Sequence, residues 1–131
     1  MILGIGLDIV ATERIARSLT NDDSFAERVF TAAELEECRE RADRALALGA
    51  RFAAKEACFK ALGTGWTRGV SFLQVEVRGL EGGQPELQLS GAAAERAQAL
   101  GVRRIHVSLT HEADVAAAVV VLEGGPVSPS G

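Results

Sequence analysis

The segment from about Asp43 to Leu62 constrains this chain most, because it reads as a long helix without a solvated face. At roughly 100° per residue, Ala53, Ala54, Ala57, Cys58 and Ala61 share one broad face of small side chains. Leu48, Phe52 and Phe59 form a second apolar strip. Arg51 and Lys55 emerge on one side of the phenylalanine strip, and Glu56 and Lys60 on the other. A surface helix gathers its charges on one arc opposite the core. This one has two surfaces to cover and its charges in between, so the small face invites another backbone close by and the charges point into a groove or an interface. Glu56 and Lys60 are also spaced as an ordinary i, i+4 surface pair. Gly63 and the turn at Gly65 end the helix.

The chain's only two lysines, Lys55 and Lys60, both lie here, and every other Lys/Arg position is arginine. An ammonium is a compact charge on a flexible stem and a guanidinium a planar fork, so the choice matters where phosphate oxygens are handled. With 131 residues the chain is one domain, long enough to bury a core without staples. A formal charge of −4 argues against broad nucleic-acid binding, which needs a basic footprint. No apolar run approaches the ~20 residues of a membrane span. The start MILGIGLDIV lacks a basic leader and carries Asp8, so it reads as a first strand and not as a signal peptide, and a cytoplasmic location is expected. Cys38 and Cys58 have no CxxC spacing and are expected to be reduced and structural.

Along the chain, residues 2–10 alternate Ile5, Leu7 and Ile9 with Gly4, Gly6 and Asp8, the period of a strand. Thr12 is placed to cap a short helix, Asp22 or Asp23 a second through Phe25 and Val29, and Thr31 with Glu34 forms a capping box opening TAAELEECRERA. After the long helix, Leu73, Val75 and Val77 alternate with polar residues, and Leu87 and Leu89 complete a hairpin. Ser90 is placed to cap an alanine-rich helix that stops at Gly101. Strands over 104–110 and 115–122 follow, joined by the turn His111 to Asp114. Residues 1–123 form the domain and 124–131, GGPVSPSG, a disordered tail. Helices early and antiparallel strands late give an α+β class.

A carboxylate in an apolar strand is costly unless paired or bound to a cation. Gly4 and Gly6 share Asp8's face and leave room for a backbone or ligand beside it. Asp8 and Glu56 together suit Mg²⁺, which takes one or two carboxylates, keeps several waters and uses substrate phosphate oxygens for the rest. Capping of the helix near Thr12 is the other use for Asp8. His106 and His111, five residues apart on one strand, project to opposite faces and do not share a metal. His111, at the strand end, is the one placed to meet a ligand.

GIGLDIVATERI, FTAAEL at 30–35, RFAAKEACFKALGTG at 51–65 and HVSLTHE at 106–112 occur in the order and spacing of the holo-acyl-carrier-protein synthases, which this chain resembles from residue 2 to about 123. The resemblance implies the 4′-phosphopantetheinyl transferase fold, an antiparallel sheet packed on a long helix in a single domain. It further implies transfer of the 4′-phosphopantetheine arm of coenzyme A to a serine of apo acyl carrier protein, releasing adenosine 3′,5′-bisphosphate, in fatty acid biosynthesis. By the same resemblance Asp8 and Glu56 bind Mg²⁺ and, with Lys60, are catalytic. Arg51, Phe52, Lys55, Lys60, Gly63, Gly65 and His111 line the coenzyme A site, Arg14 lies on the carrier-protein surface, and the molecule is a homotrimer with sites between subunits. Thr110 stands where the motif often has serine before its histidine, which leaves a hydroxyl in place.

The residue types suit this chemistry. Attack of a serine oxygen on a pyrophosphate needs charge neutralisation and positioning more than covalent help. Lys60, one turn beyond Glu56, is placed for the phosphoryl oxygens, and Lys55 and Arg51 for the remaining phosphates. Either Glu56 or a water held at the metal takes the serine proton. An acidic carrier needs a basic patch, for which Arg14, Arg17 and Arg28 are the candidates. A catalytically idle carrier-binding module of the same fold is the alternative reading, and a nucleotide phosphohydrolase with the same metal a third.

Overall fold

The computed structural model describes residues 1–65, 67–79 and 84–125. Strand β1 (Ile2–Ala11) pairs antiparallel with the last strand, β5 (Val115–Gly124), which pairs on its other side with β4 (Val102–Glu112). The register sets Gly4, Gly6, Asp8 and Val10 beside Leu122, Val120, Ala118 and Ala116 on one face of this three-stranded sheet. Against that face lies helix α4 (Arg44–Leu62), the long helix read from the sequence, closed by Gly63 in the left-handed conformation. At 19 residues it is about 28 Å long.

The small residues decide how close sheet and helix come. A Cβ on Gly6 would sit 1.7 Å from the Ala57 carbonyl oxygen, and one on Gly4 2.2 Å from that of Ala61. Backbone thus rests on backbone at Gly4 and Gly6, and a larger residue at either position would wedge the layers apart. The alternation in β1 is as expected, but its glycine face is the packed one. Ile5, Leu7 and Ile9 point outward and are 61, 64 and 68 % exposed.

The remaining elements cover the rest of α4: α1 (Thr12–Asn21), α2 (Phe25–Val29), α3 (Ala32–Cys38), a 3₁₀ turn at Phe72–Gln74, the hairpin β2 (Val75–Arg78) and β3 (Glu86–Leu89), and α5 (Gly91–Leu100). The Thr31–Glu34 capping box forms as read. Three other caps differ. Thr12 is the first residue of its helix and its hydroxyl donates to the Asp114 carbonyl, which ties α1 to the β4–β5 turn. Asp22 does not cap α2 directly; its carboxylate accepts from the Ser24 amide and hydroxyl. Ser90 makes no side-chain cap bond, and the Gln74 side chain accepts the Ala93 amide instead.

The third helix also stops at Cys38, short of the run through Ala42, where the amides of Arg39 and Arg41 turn back three residues to Glu36 and Cys38. Leu73, read as strand, belongs to the 3₁₀ turn and is 44 % exposed. Strand β5 reaches Gly124, whose amide donates to the Met1 carbonyl, so the last paired residue falls one past the boundary at 123. Residues 126–131 of the expected tail lie outside the described residues. Both cysteines are buried and free, and burial pushes the Cys58 thiol up to about 12. Among the described residues no helix is long and apolar enough to cross a membrane.

Candidate active site

The contact of β1 with α4 brings together residues far apart in sequence. Asp8 leaves β1 toward the helix, and the Lys60 Nζ donates to its Oδ1 at 3.0 Å and to the Leu7 carbonyl at 2.9 Å. Asp8 is largely covered while the lysine side chain stays half exposed, so the pair sits at the rim of the sheet–helix seam. Glu56, one turn before Lys60 on the same side of α4, is half-buried and among the described residues makes no hydrogen bond or ion pair. Its carboxyl is held above the usual range first by burial and then by the charge of Asp8, against the opposing effect of Lys60 and Arg14. Asp8 is matched by Lys60, whereas Glu56 has no directly bonded cation among the described residues and only the more distant charges of Lys60 and Arg14 acting on it.

Arg14 reaches the same region from α1. Its guanidinium carbon lies 5.8 Å from the centroid of the Phe52 ring. Arg14 and Arg17 border one groove with Ser18, Asn21 and Asp22, and Arg28 forms a 2.7 Å ion pair to Asp22. Of the three candidate docking arginines, Arg14 and Arg17 thus share a groove, and Arg28 is joined to it only through Asp22.

The structure does not place the other predicted residues together. Lys55 is 0 % exposed, its ammonium 2.8 Å from Glu34 and donating to the carbonyls of Phe72 and Val75. All three N–H bonds are used within the fold, in a buried ion pair with Glu34 and two carbonyls. Burial lowers its pKa despite Glu34. Phe52, 6 % exposed, packs between Phe25 and Phe72 as a core ring. Arg51, nine residues before Lys60 and so across the helix from it, donates to Glu37 at 2.8 Å, with its Nε buried and without a partner. As a phosphate ligand it is not free.

His111 projects from β4 beside Asp43, whose carboxyl it helps to lower after the larger effect of Arg41. Strand β5 separates it from β1, so within one chain it stands across the sheet from Asp8. Its companion His106 faces the other way, as expected, and pairs with Glu123 at 2.9 Å. Gly63 and Gly65, both at positive φ, shape the chain beyond α4, and a Cβ on Gly65 would meet nothing within 4 Å.

Sequence reasoning missed Glu34 as anything but a cap, although it is 0 % exposed and holds three donors: the Thr31 and Val77 amides and Lys55. Arg96 was missed too; its Nε donates to the Leu62 carbonyl at the end of α4. An arginine opposite a helix C-terminus across 34 residues leaves no local sequence signal.

The family model described as 4′-phosphopantetheinyl transferase superfamily matches residues 4–120. A holo-[acyl-carrier-protein] synthase of Anaeromyxobacter dehalogenans is 52 % identical over 132 residues, covering 96 % of this chain and 100 % of that one. The chain belongs to the holo-acyl-carrier-protein synthases. Among solved structures, the synthase of Neisseria meningitidis superposes with a TM-score of 0.84 at 38 % identity, covering 94 % of this chain and 99 % of that one. The synthase of Bacillus anthracis in complex with coenzyme A (3′,5′-ADP) does so at 0.78 and 38 %, covering 95 % and 99 %. The synthase described here is therefore a phosphopantetheinyl transferase, with the α+β single-domain architecture of those crystal structures.

Proposed function

We propose that this synthase transfers 4′-phosphopantetheine from coenzyme A to a serine hydroxyl of apo acyl carrier protein, releasing adenosine 3′,5′-bisphosphate, in the cytoplasm and in the service of fatty acid biosynthesis. The observation that carries the reading is the convergence of Asp8, Glu56 and Lys60 at one seam. Coenzyme A as the donor draws support from the related Bacillus anthracis structure that contains it.

The donor set fits Mg²⁺: two hard carboxylates, one of them unpartnered, at a rim open to phosphate oxygens. Asp8 and Glu56 are the residues that would hold it, and when bound it supplies charge neutralisation at the pyrophosphate. Lys60 faces the same opening with half its side chain in solvent, and it is free to move from Asp8 to a phosphoryl oxygen without unpacking anything. Either Glu56 or a water held at the metal accepts the serine proton. Arg14 and Arg17 receive the acidic carrier beside these groups.

The separation of His111 from Asp8 and Lys60 within one chain supports a site shared between subunits. The outward face of the sheet supplies the contact: Ile5, Leu7 and Ile9 stand exposed in a row, with the half-buried Ala117, Val119 and Val121 of the neighbouring strand beside them. An apolar surface of this kind marks an interface, and we read it as that of a homotrimer.

Incubation with apo carrier, coenzyme A and Mg²⁺ followed by mass spectrometry of the carrier tests the reaction. The carrier is expected to gain one phosphopantetheinyl group, and a chelator to abolish the gain. No gain with any divalent metal would sink the transferase reading and leave the idle binding module.

A further inference from the structure

Phe52, Glu56 and Lys60 are spaced four residues apart on α4, so they form one row along the helix in steps of about 6 Å. Two members of the row belong to the proposed chemistry. The third is a buried ring, 6 % exposed, with Phe25 and Phe72 at centroid distances of 6.5 and 5.3 Å. What it does present is a face, and Arg14 lies over it at 5.8 Å. Arg14 is exposed, and among the described residues no carboxylate or carbonyl holds its guanidinium. Arg28, by contrast, is tied to Asp22.

The manner of holding matters. A carboxylate seat occupies the N–H edges that a partner would use, as Asp22 does for Arg28. An aromatic face attracts the flat side of the guanidinium and leaves those edges open. Ile15, next to Arg14, is 1 % exposed and anchors α1 in the core, so the backbone end of Arg14 is fixed and only its side chain needs a seat.

We propose that Phe52 is a positioning residue for carrier docking: its ring seats the Arg14 guanidinium in register with Glu56 and Lys60, so that a carrier carboxylate bound there lies at a set offset along α4 from the reacting groups. The inference rests on the docking role given to Arg14 above. It also gives Phe52 a use that its burial would otherwise deny it.

A double-mutant cycle tests it, with Phe52→Leu, Arg14→Ala and the pair assayed by steady-state kinetics with carrier and coenzyme A varied in turn. A cation–π contact at an exposed arginine corresponds to roughly a two- to fivefold effect. Phe52→Leu is expected to lower kcat/KM for the carrier by that factor, leave KM for coenzyme A unchanged, and have no effect once residue 14 is alanine. An equal loss in both backgrounds would show that Phe52 acts through packing alone and overturn the proposal. If Arg14→Ala itself leaves kcat/KM for the carrier unchanged, the docking role fails and the proposal with it. Incorporation of pentafluorophenylalanine at position 52 keeps the ring's shape, reverses its electrostatics and guards against a leucine variant that does not fold. It is expected to reproduce the loss, and wild-type kinetics would refute the seat.

Discussion

Replacing Gly6 with alanine probes whether the closeness of β1 and α4 is what assembles the site. The new Cβ would lie 1.7 Å from the Ala57 carbonyl oxygen, 2.7 Å from its carbonyl carbon and 2.9 Å from the Ala61 nitrogen. A relaxed carbon–oxygen contact is about 3.3 Å, so strand and helix have to separate by roughly 1.6 Å. All three atoms are backbone, and no rotamer change relieves the clash. Overpacking on this scale costs about 1–3 kcal/mol, which for a domain of this size lowers Tm by roughly 5–15 °C. Asp8 lies two residues along on the same face, so such a shift carries its carboxylate away from Glu56 and Lys60 on α4. A 1 Å misplacement costs on the order of 10²-fold in rate. Thermal melts with transferase assays below the variant's Tm are expected to show both losses. A Gly6→Ala protein with wild-type Tm would refute the packing argument; one that is destabilised yet turns over normally would refute the link from packing to chemistry.

Lys55→Met leaves Glu34 buried without its cation and is expected to cost about 3–5 kcal/mol by urea unfolding, with much of the loss recovered when Glu34→Gln is added. Because burial lowers the Lys55 pKa, the unfolded chain binds its proton more tightly than the folded one, so wild-type stability relative to Lys55→Met should rise with pH through the alkaline range toward the ordinary 10.5; a flat difference would contradict this. Glu56→Gln is expected to lose turnover by roughly 10²–10⁴-fold and still fold. Its metal-free form should exceed wild type in stability at neutral pH, because the folded state binds the Glu56 proton more tightly than the unfolded state and an ionised Glu56 opposes folding; the gain should fade as pH falls toward the ordinary 4.5, and a less stable variant at pH 7 would count against that reasoning. Ile5→Asp, on the outward face away from Asp8, is expected to yield monomers by light scattering and to lose activity with the assembly; an unchanged mass would remove that face from the interface.

The parts of the site that were legible in the sequence are those that follow from one element's own geometry. Glu56 and Lys60 share a side of α4 because they are four residues apart, and Asp8 could be paired with them because Gly4 and Gly6 advertise a close neighbour. What was not legible depends on partners that no local pattern names. Leu73 continues the alternation of Val75 and Val77, yet it sits in a 3₁₀ turn because the Lys55 ammonium gathers the carbonyls of both Phe72 and Val75. Glu34 was explained by its capping box, which accounts for one of its bonds, and nothing in that motif reveals the amide of Val77 or a lysine 21 residues away.

The two lysines make the distinction physical. They are five residues apart, a rotation of about 140° around the helix, so if one faces the rim the other faces the interior. Lys60 can meet Asp8 at the surface only because the helix is buried at position 55, and a lysine there can be tolerated only with its charge matched by Glu34 and its remaining N–H bonds taken by two carbonyls. Membership in the motif RFAAKEACFKALGTG therefore does not say whether a residue touches substrate or holds the helix that does. The turn of the helix separates the two roles, with Glu56 and Lys60 on the working edge, and Lys55, Phe52 and the alanines as the support that keeps that edge against β1.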